Sequence, residues 1–208
     1  MKNLYSSELA KTRYDAIIIG SGVGGLATAV FLAKAGKKVL VLEKHYTAGG
    51  FTHTFKRKKY EWDVGAHYIG QMNDPKALLR RIFDYTTDGK LKWDDIGEIY
   101  DQAIIEGNVY NFYKGLPNQI RQMIAYFPGE EKAIRAYYDL ILKVSSSAPL
   151  FFSEKTMPDW LSWALGGLLK RPFLRYSKQT TEEVLNGLTT NKKLMAVLCA
   201  QCGNYGLT

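Results

Sequence analysis

Six residues near the amino end, Gly20-Ser21-Gly22-Val23-Gly24-Gly25, carry the spacing G-x-G-x-x-G through Gly20, Gly22 and Gly25. Glycines in that order suit the wrapping of backbone around the diphosphate of a dinucleotide. The first allows a sharp turn off a strand, the second lets the main chain approach the phosphates, and the third lets the following helix pack close to that strand. The phosphates then meet the free N–H groups and positive dipole end of the helix, with Ser21, Val23 and Gly24 in the same stretch. A carboxylate at the end of the next strand completes the pattern by accepting hydrogen bonds from an adenosine ribose, and Glu43, 23 residues after Gly20, occupies that place. A glutamate there also disfavours a 2′-phosphate.

The elements needed to position these groups are legible around them. A β-branched run, Tyr14-Asp15-Ala16-Ile17-Ile18-Ile19, leads into Gly20 and predicts a strand buried on both faces. Leu26, Ala27, Val30, Phe31, Ala33 and Ala35 follow at helical spacing and are closed by Gly36. Val39–Leu42 is a second apolar run of strand length that ends at Glu43. The three make a βαβ unit. Beyond Lys44, the pair Gly49-Gly50 lets backbone approach a ligand a second time. A bound NAD has no need of that approach, whereas an extended FAD runs past this point toward its isoalloxazine, so the pattern favours FAD.

Further along, residues 45–70 predict loop and short strands. Asp74-Pro75 predicts a helix start with Leu78, Leu79, Ile82 and Phe83 as its apolar face, ending near Tyr85. Alternation in residues 99–105 and 109–113 around Glu106-Gly107-Asn108 predicts a β-hairpin. Two helices follow at 117–126 and 130–144, split by Pro128-Gly129, and Ser145-Ser146-Ser147 has the composition of a linker. The expected fold class is therefore α/β. A Rossmann-like FAD-binding βαβ domain over residues 1–75 precedes the start of an inserted mixed α+β, largely helical substrate domain over residues 76–208.

Composition bounds the function. The 208 residues are 46% hydrophobic and 23% charged, enough for a core and too apolar for general disorder. The net charge of +8 favours anionic partners such as phosphate-bearing cofactors or acidic lipids. Basic residues are scattered and no recognised nucleic-acid module is present, so no nucleic-acid partner is expected. Two cysteines point to a reducing, cytoplasmic compartment. No apolar run reaches spanning length, and residues 1–14 do not have the pattern of a secretory signal peptide.

Residues 14–43, Ala48-Gly49-Gly50 and Asp63-Val64-Gly65-Ala66-His67-Tyr68-Ile69-Gly70 resemble the FAD-dependent retinol saturases (all-trans-retinol 13,14-reductases). They are also similar to the wider group of carotenoid isomerases and phytoene desaturases. A looser likeness resumes at Glu182-Glu183-Val184-Leu185 and Asn204-Tyr205-Gly206-Leu207-Thr208. The resemblance implies a flavin domain with an inserted substrate domain and a reaction that saturates, desaturates or isomerises a lipophilic polyene, with NAD(P) a candidate electron source. It assigns the pyrophosphate to Gly20, Gly22, Gly24 and Gly25, the ribose to Glu43 and the flavin side to Gly49 and Gly50. Phe51 stands where many amine-oxidase-like relatives have arginine, so that contact is not carried over. The family has a second flavin-contacting segment and a much longer chain. The 208 residues are thus expected to be part of a longer enzyme, and a non-catalytic or partner-dependent dinucleotide-binding fragment is the alternative.

Weaker signals remain. His67 is expected to be a packed structural histidine, and the three histidines have no carboxylates at ligand spacing, so no metal is expected. Cys199 and Cys202 form a lone C-x-x-C without redox or zinc context and are expected to be two small buried side chains. Residues 158–178 interleave Trp160, Leu161, Trp163, Leu165, Leu168, Leu169, Phe173 and Leu174 with Lys170, Arg171, Arg175 and Lys178. That mixture suits peripheral membrane contact as well as a buried helix beside a solvated basic loop.

Overall fold

A computed structural model of the chain describes residues 7–205 apart from His67. It divides into two compact units, with the boundary between Asp95 and Ile96. The first unit opens with a short helix α1 (Ser7–Lys11), then β1 (Ala16–Ile19), α2 (Val23–Lys34) and β2 (Val39–Leu42). β1 and β2 pair in parallel from Ala16 opposite Val39 to Ile19 opposite Leu42, as a right-handed βαβ crossover requires. Asp15 secures the entry by accepting the Lys38 N–H at 2.8 Å. β3 (Thr54–Arg57) and β4 (Tyr60–Asp63) form an antiparallel ribbon, and α3 (Leu78–Thr87) closes the helical part of the unit.

Two expectations are corrected here. β1 is not buried on both faces: alternate residues face solvent, with Ile17 60% and Ile19 88% exposed. The two-stranded sheet has α2 to pack on, and among the described residues of the unit nothing covers those two side chains. The helix predicted from Asp74 starts at Leu78, because Asp74 turns back to accept the Lys76 N–H at 2.8 Å and the chain spends Asp74 to Ala77 in a turn. The first compact unit extends to Asp95. α3 packs on α2 through stacked rings of Phe31 and Tyr85 with centroids 4.9 Å apart, and Lys34 donates to the Tyr85 carbonyl at 2.7 Å and pairs with Asp88. Trp93 then meets the ring of Phe83 at 5.1 Å.

In the second unit, β5 (Ile99–Ile105) and β6 (Asn108–Tyr113) form the predicted hairpin. Its loop is Glu106-Gly107, both at positive φ (51° and 77°), the backbone twist that joins antiparallel strands in two residues. α4 (Leu116–Tyr126) and α5 (Glu131–Glu154) follow, then α6 (Asp159–Ser177), α7 (Thr181–Leu188) and α8 (Lys192–Leu198). The core gathers Phe112 from the hairpin, Met123 from α4, Ile134 and Tyr138 from α5, and Leu194 and Val197 from α8. Buried Gln119 ties it together, accepting the Tyr113 N–H at 2.6 Å and donating to the Tyr138 hydroxyl at 3.0 Å. α7 starts on a capping box in which Thr180 and Glu183 satisfy each other's backbone N–H groups.

α5 is longer than its sequence suggests. Ser145 to Ser147 are helical: the hydroxyls of Ser146 and Ser147 fold back onto the carbonyls of Lys143 and Val144 instead of competing for a turn, and burial of Ser147 draws the segment into the packed helix. The helix also contains Pro149. At its end Glu154 is buried against α6, where its carboxylate accepts from Ser162 and from Lys170 at 2.9 Å. The Ser162 hydroxyl and the Lys170 ammonium hold that carboxyl below its ordinary range. Gly166 makes this approach feasible, since a Cβ there would sit 2.8 Å from a Glu154 oxygen.

Candidate dinucleotide site

Gly20 leaves β1 with φ +99°, a conformation open to glycine, while its N–H donates to Leu42 O at 2.7 Å and keeps the turn tied to β2. Gly25 meets a different demand: a Cβ there would lie 2.2 Å from the Gly20 carbonyl oxygen, so a hydrogen is the largest group that lets α2 begin so close to the turn. Gly22 and Gly24 are required by neither argument. Gly22 has ordinary extended dihedrals (φ −64°, ψ 169°), and a Cβ at either position would meet nothing within 4 Å. Bare backbone that the protein's own packing does not demand, facing open space at a helix start, fits a ligand that must come close.

The start of α2 is prepared for an anion. Val23, Gly24 and Gly25 open the helix, no side chain caps it, and its first turn contains no acidic residue. The first-turn N–H groups therefore have no intrahelical acceptor and point outward with the positive dipole end.

Glu43 is built into the same loop. Its Oε2 accepts from the Ser21 N–H at 2.7 Å and from the Ser21 hydroxyl at 2.6 Å, and its Oε1 accepts from the His45 N–H at 2.7 Å. The Ser21 hydroxyl, followed by the His45 and Ser21 backbone N–H groups, lowers its pKa from the ordinary 4.5 to about 2. The carboxylate is thus charged at neutral pH and fixed in direction. Each carboxylate oxygen has two acceptor positions, and the exposed side of the carboxylate faces solvent. Ser21, only 2% exposed, is the residue whose role the sequence pattern did not reveal: it anchors Glu43 to the glycine turn.

The second glycine pair lies against the first. The Gly49 N–H donates to Ser21 O at 3.0 Å, Gly22 and Gly49 form a parallel bridge, and a Cβ on Gly50 would come within 3.0 Å of the Gly22 Cα. Gly20 to Gly25, Glu43, Gly49 and Gly50 therefore form one continuous cradle. Lys44 is exposed beside Glu43, and Phe51 is exposed while its carbonyl accepts the N–H groups of Gly65 and Ala66. A ring cluster not anticipated from sequence borders the cradle: His45 lies 4.1 Å from Tyr46 and 4.9 Å from His53, and the His53 Nδ1 faces the Gly50 carbonyl. Histidine and tyrosine spaced around a glycine pair were its only sequence signal.

His67 and the segment Gly206-Leu207-Thr208 lie outside the described residues. Cys199 and Cys202 are half-buried rather than fully buried, and burial, with the neighbouring Cys202, pushes the Cys199 thiol up to about 11. That thiol is protonated at neutral pH and is not poised as a nucleophile. Among the described residues no group of three or more His, Cys, Asp or Glu side chains is placed to hold a metal.

Residues 18–86 match the family of NAD(P)-binding Rossmann-like domains. They form such a domain. Over 92% of its length the chain is 43% identical to an all-trans-retinol 13,14-reductase of Danio rerio, and it spans 33% of that protein. Over 93% it is 33% identical to an inactive all-trans-retinol 13,14-reductase of the same organism. Over 91% it is 28% identical to a chloroplastic prolycopene isomerase of an Oncidium hybrid cultivar. The chain is homologous to the retinol reductases and more distantly to the isomerase, and it spans about a third of the length of each.

Proposed function

We propose that this chain is the dinucleotide-binding part of an FAD-dependent oxidoreductase acting on carbon–carbon double bonds of a lipophilic polyene of retinoid or carotenoid type. The observation that carries the proposal is the cradle itself. Open backbone at Gly22 and Gly24, an unneutralised helix start and the charged Glu43 are joined to Gly49 and Gly50 in one surface. The first part suits the ADP half that NAD and FAD share, and the second continues toward the side where FAD extends. When bound, FAD supplies the redox chemistry, with NAD(P) as a source of electrons. The residues of this chain bind and orient: the first-turn N–H groups of α2 hold the diphosphate, Glu43 accepts from the ribose, and Gly49 and Gly50 leave room alongside. The substrate class rests on the printed activities of the homologues, a retinol reductase and a prolycopene isomerase.

The test is a titration of the purified chain with FAD followed by flavin fluorescence, beside the same titration with NADH. Preferential FAD binding that Gly22→Val weakens at least about tenfold supports the assignment. Binding of neither, or FAD binding indifferent to Gly22→Val, overturns it. A second reading is that the chain is a non-catalytic or partner-dependent binding fragment, favoured by the inactive homologue. Bound flavin that a reductant and a polyene fail to bleach and restore would select it.

A further inference from the structure

α6 is apolar on both of its faces. Toward α5 it presents Leu169 and Phe173, both half-buried, and Phe173 stacks on Phe151 with centroids 4.5 Å apart. Away from α5 it presents Trp163, 89% exposed, and Trp160, 71% exposed, with Leu165 and Leu168 also exposed. Residues 160–169 contain no charged side chain. A helix on the surface of a water-soluble protein keeps one polar face, and this segment keeps none. No helix among the described residues is long and apolar enough to cross a membrane.

Asp159 opens the helix beside Trp160, and the charges from residue 170 to 178 are all basic. Lys170 is neutralised by Glu154, while Arg171, Arg175 and Lys178 are exposed on or just beyond the end of α6 and form no ion pair among the described residues. By helical geometry Arg171 lies on the same side as Trp160 and Ala164, and Arg175 beside Leu168. Exposed tryptophan and leucine bordered by unpaired cations match the boundary of a bilayer. Indoles sit at headgroup level there, leucines enter the acyl region, and long cationic side chains reach back to acidic headgroups. A second copy of the chain would instead bring like charges together.

We propose that the outer face of α6 is an interfacial docking surface for bilayers containing anionic lipid. Trp160, Trp163, Leu165 and Leu168 insert, and Arg171, Arg175 and Lys178 contact the headgroups. The buried Glu154 clasp on Ser162 and Lys170 holds α6 against α5, so the face is presented as a firm surface. This surface lies wholly in the second unit and does not depend on FAD binding by the first.

The experiment is flotation of the whole chain with phosphatidylcholine vesicles and with vesicles that also carry phosphatidylserine, at low and high salt. The expected result is binding to the anionic vesicles that falls with salt, together with quenching of tryptophan fluorescence by brominated acyl chains. Replacing both indoles, Trp160→Ser with Trp163→Ser, is expected to cut binding at least about tenfold and abolish most of the quenching. Arg171→Gln with Arg175→Gln is expected to erase the preference for phosphatidylserine. Both pairs are exposed, and unchanged far-UV dichroism verifies folding. No vesicle binding by the parent chain overturns the proposal, as does binding that survives loss of both indoles. Concentration-dependent self-association that the indole variant abolishes, without vesicle binding, would assign the face to a second copy. FAD titration of the same samples separates this outcome from failure of the dinucleotide assignment.

Discussion

The two units hold their shape by different means. The second has a conventional core, with Met123, Ile134, Leu185, Leu194 and Val197 fully buried and Gln119 satisfied within it. The first contributes Met72 alone to the buried hydrophobic residues among those described, and its strand β1 leaves Ile17 and Ile19 in solvent. Burial of an isoleucine is worth about 1.5–3 kcal/mol, so the first unit forgoes a large part of what its own strand has to offer. Yet the cradle is well defined, because its geometry comes from backbone hydrogen bonds, glycine dihedrals and one carboxylate rather than from a surrounding core. A binding surface can thus be specified locally on a unit with little buried core of its own.

That contrast can be broken or sharpened by substitution. The largest effect is expected from Ile134→Ala, which should cost the second unit about 2–5 kcal/mol in denaturant unfolding while leaving FAD affinity unchanged. A matching loss of FAD affinity would mean that the units do not behave separately. Gly25→Ala should cost the first unit about 1–3 kcal/mol, since the new methyl collides with the Gly20 carbonyl at 2.2 Å. Hydrogen exchange read by mass spectrometry should then show faster exchange in residues 16–42 and unaltered protection of α5 and α8. Gly22→Val is expected to shift stability by less than about 0.5 kcal/mol, because open space surrounds the position, and to weaken FAD binding at least about tenfold.

The smallest effect concerns acid. The folded-state pKa of Glu43 lies below its ordinary value, so the stabilisation from its ionised form is complete above about pH 4.5 and is lost as pH falls toward about 2. Glu43→Gln should flatten that acid limb in the first unit without changing the unfolding of the second. Thermal melts of both proteins across this interval, with exchange to separate the units, measure it. An acid limb that persists in the variant would place the titration elsewhere.

How far the sequence disclosed this architecture follows from the range of the forces involved. The turn at Gly20, the helix after it and the Glu106-Gly107 hairpin loop depend on neighbouring dihedrals, and all were legible. The bond between Ser21 and Glu43 joins residues 22 apart, and nothing in either residue type announces it. The serines at 145–147 have the composition of a linker, but tertiary packing draws them into α5. Residue type at Ile17 and Ile19 describes a strand suited to burial, whereas burial itself depends on what other layers are present.

Those two isoleucines have a practical consequence for anyone handling the chain. They stand on a short parallel ribbon that the other described residues of the unit leave uncovered, the kind of surface that seeds precipitation when protein is concentrated. Yield and shelf life should therefore be governed by this corner of the first unit, and a mild detergent that shields it should improve both.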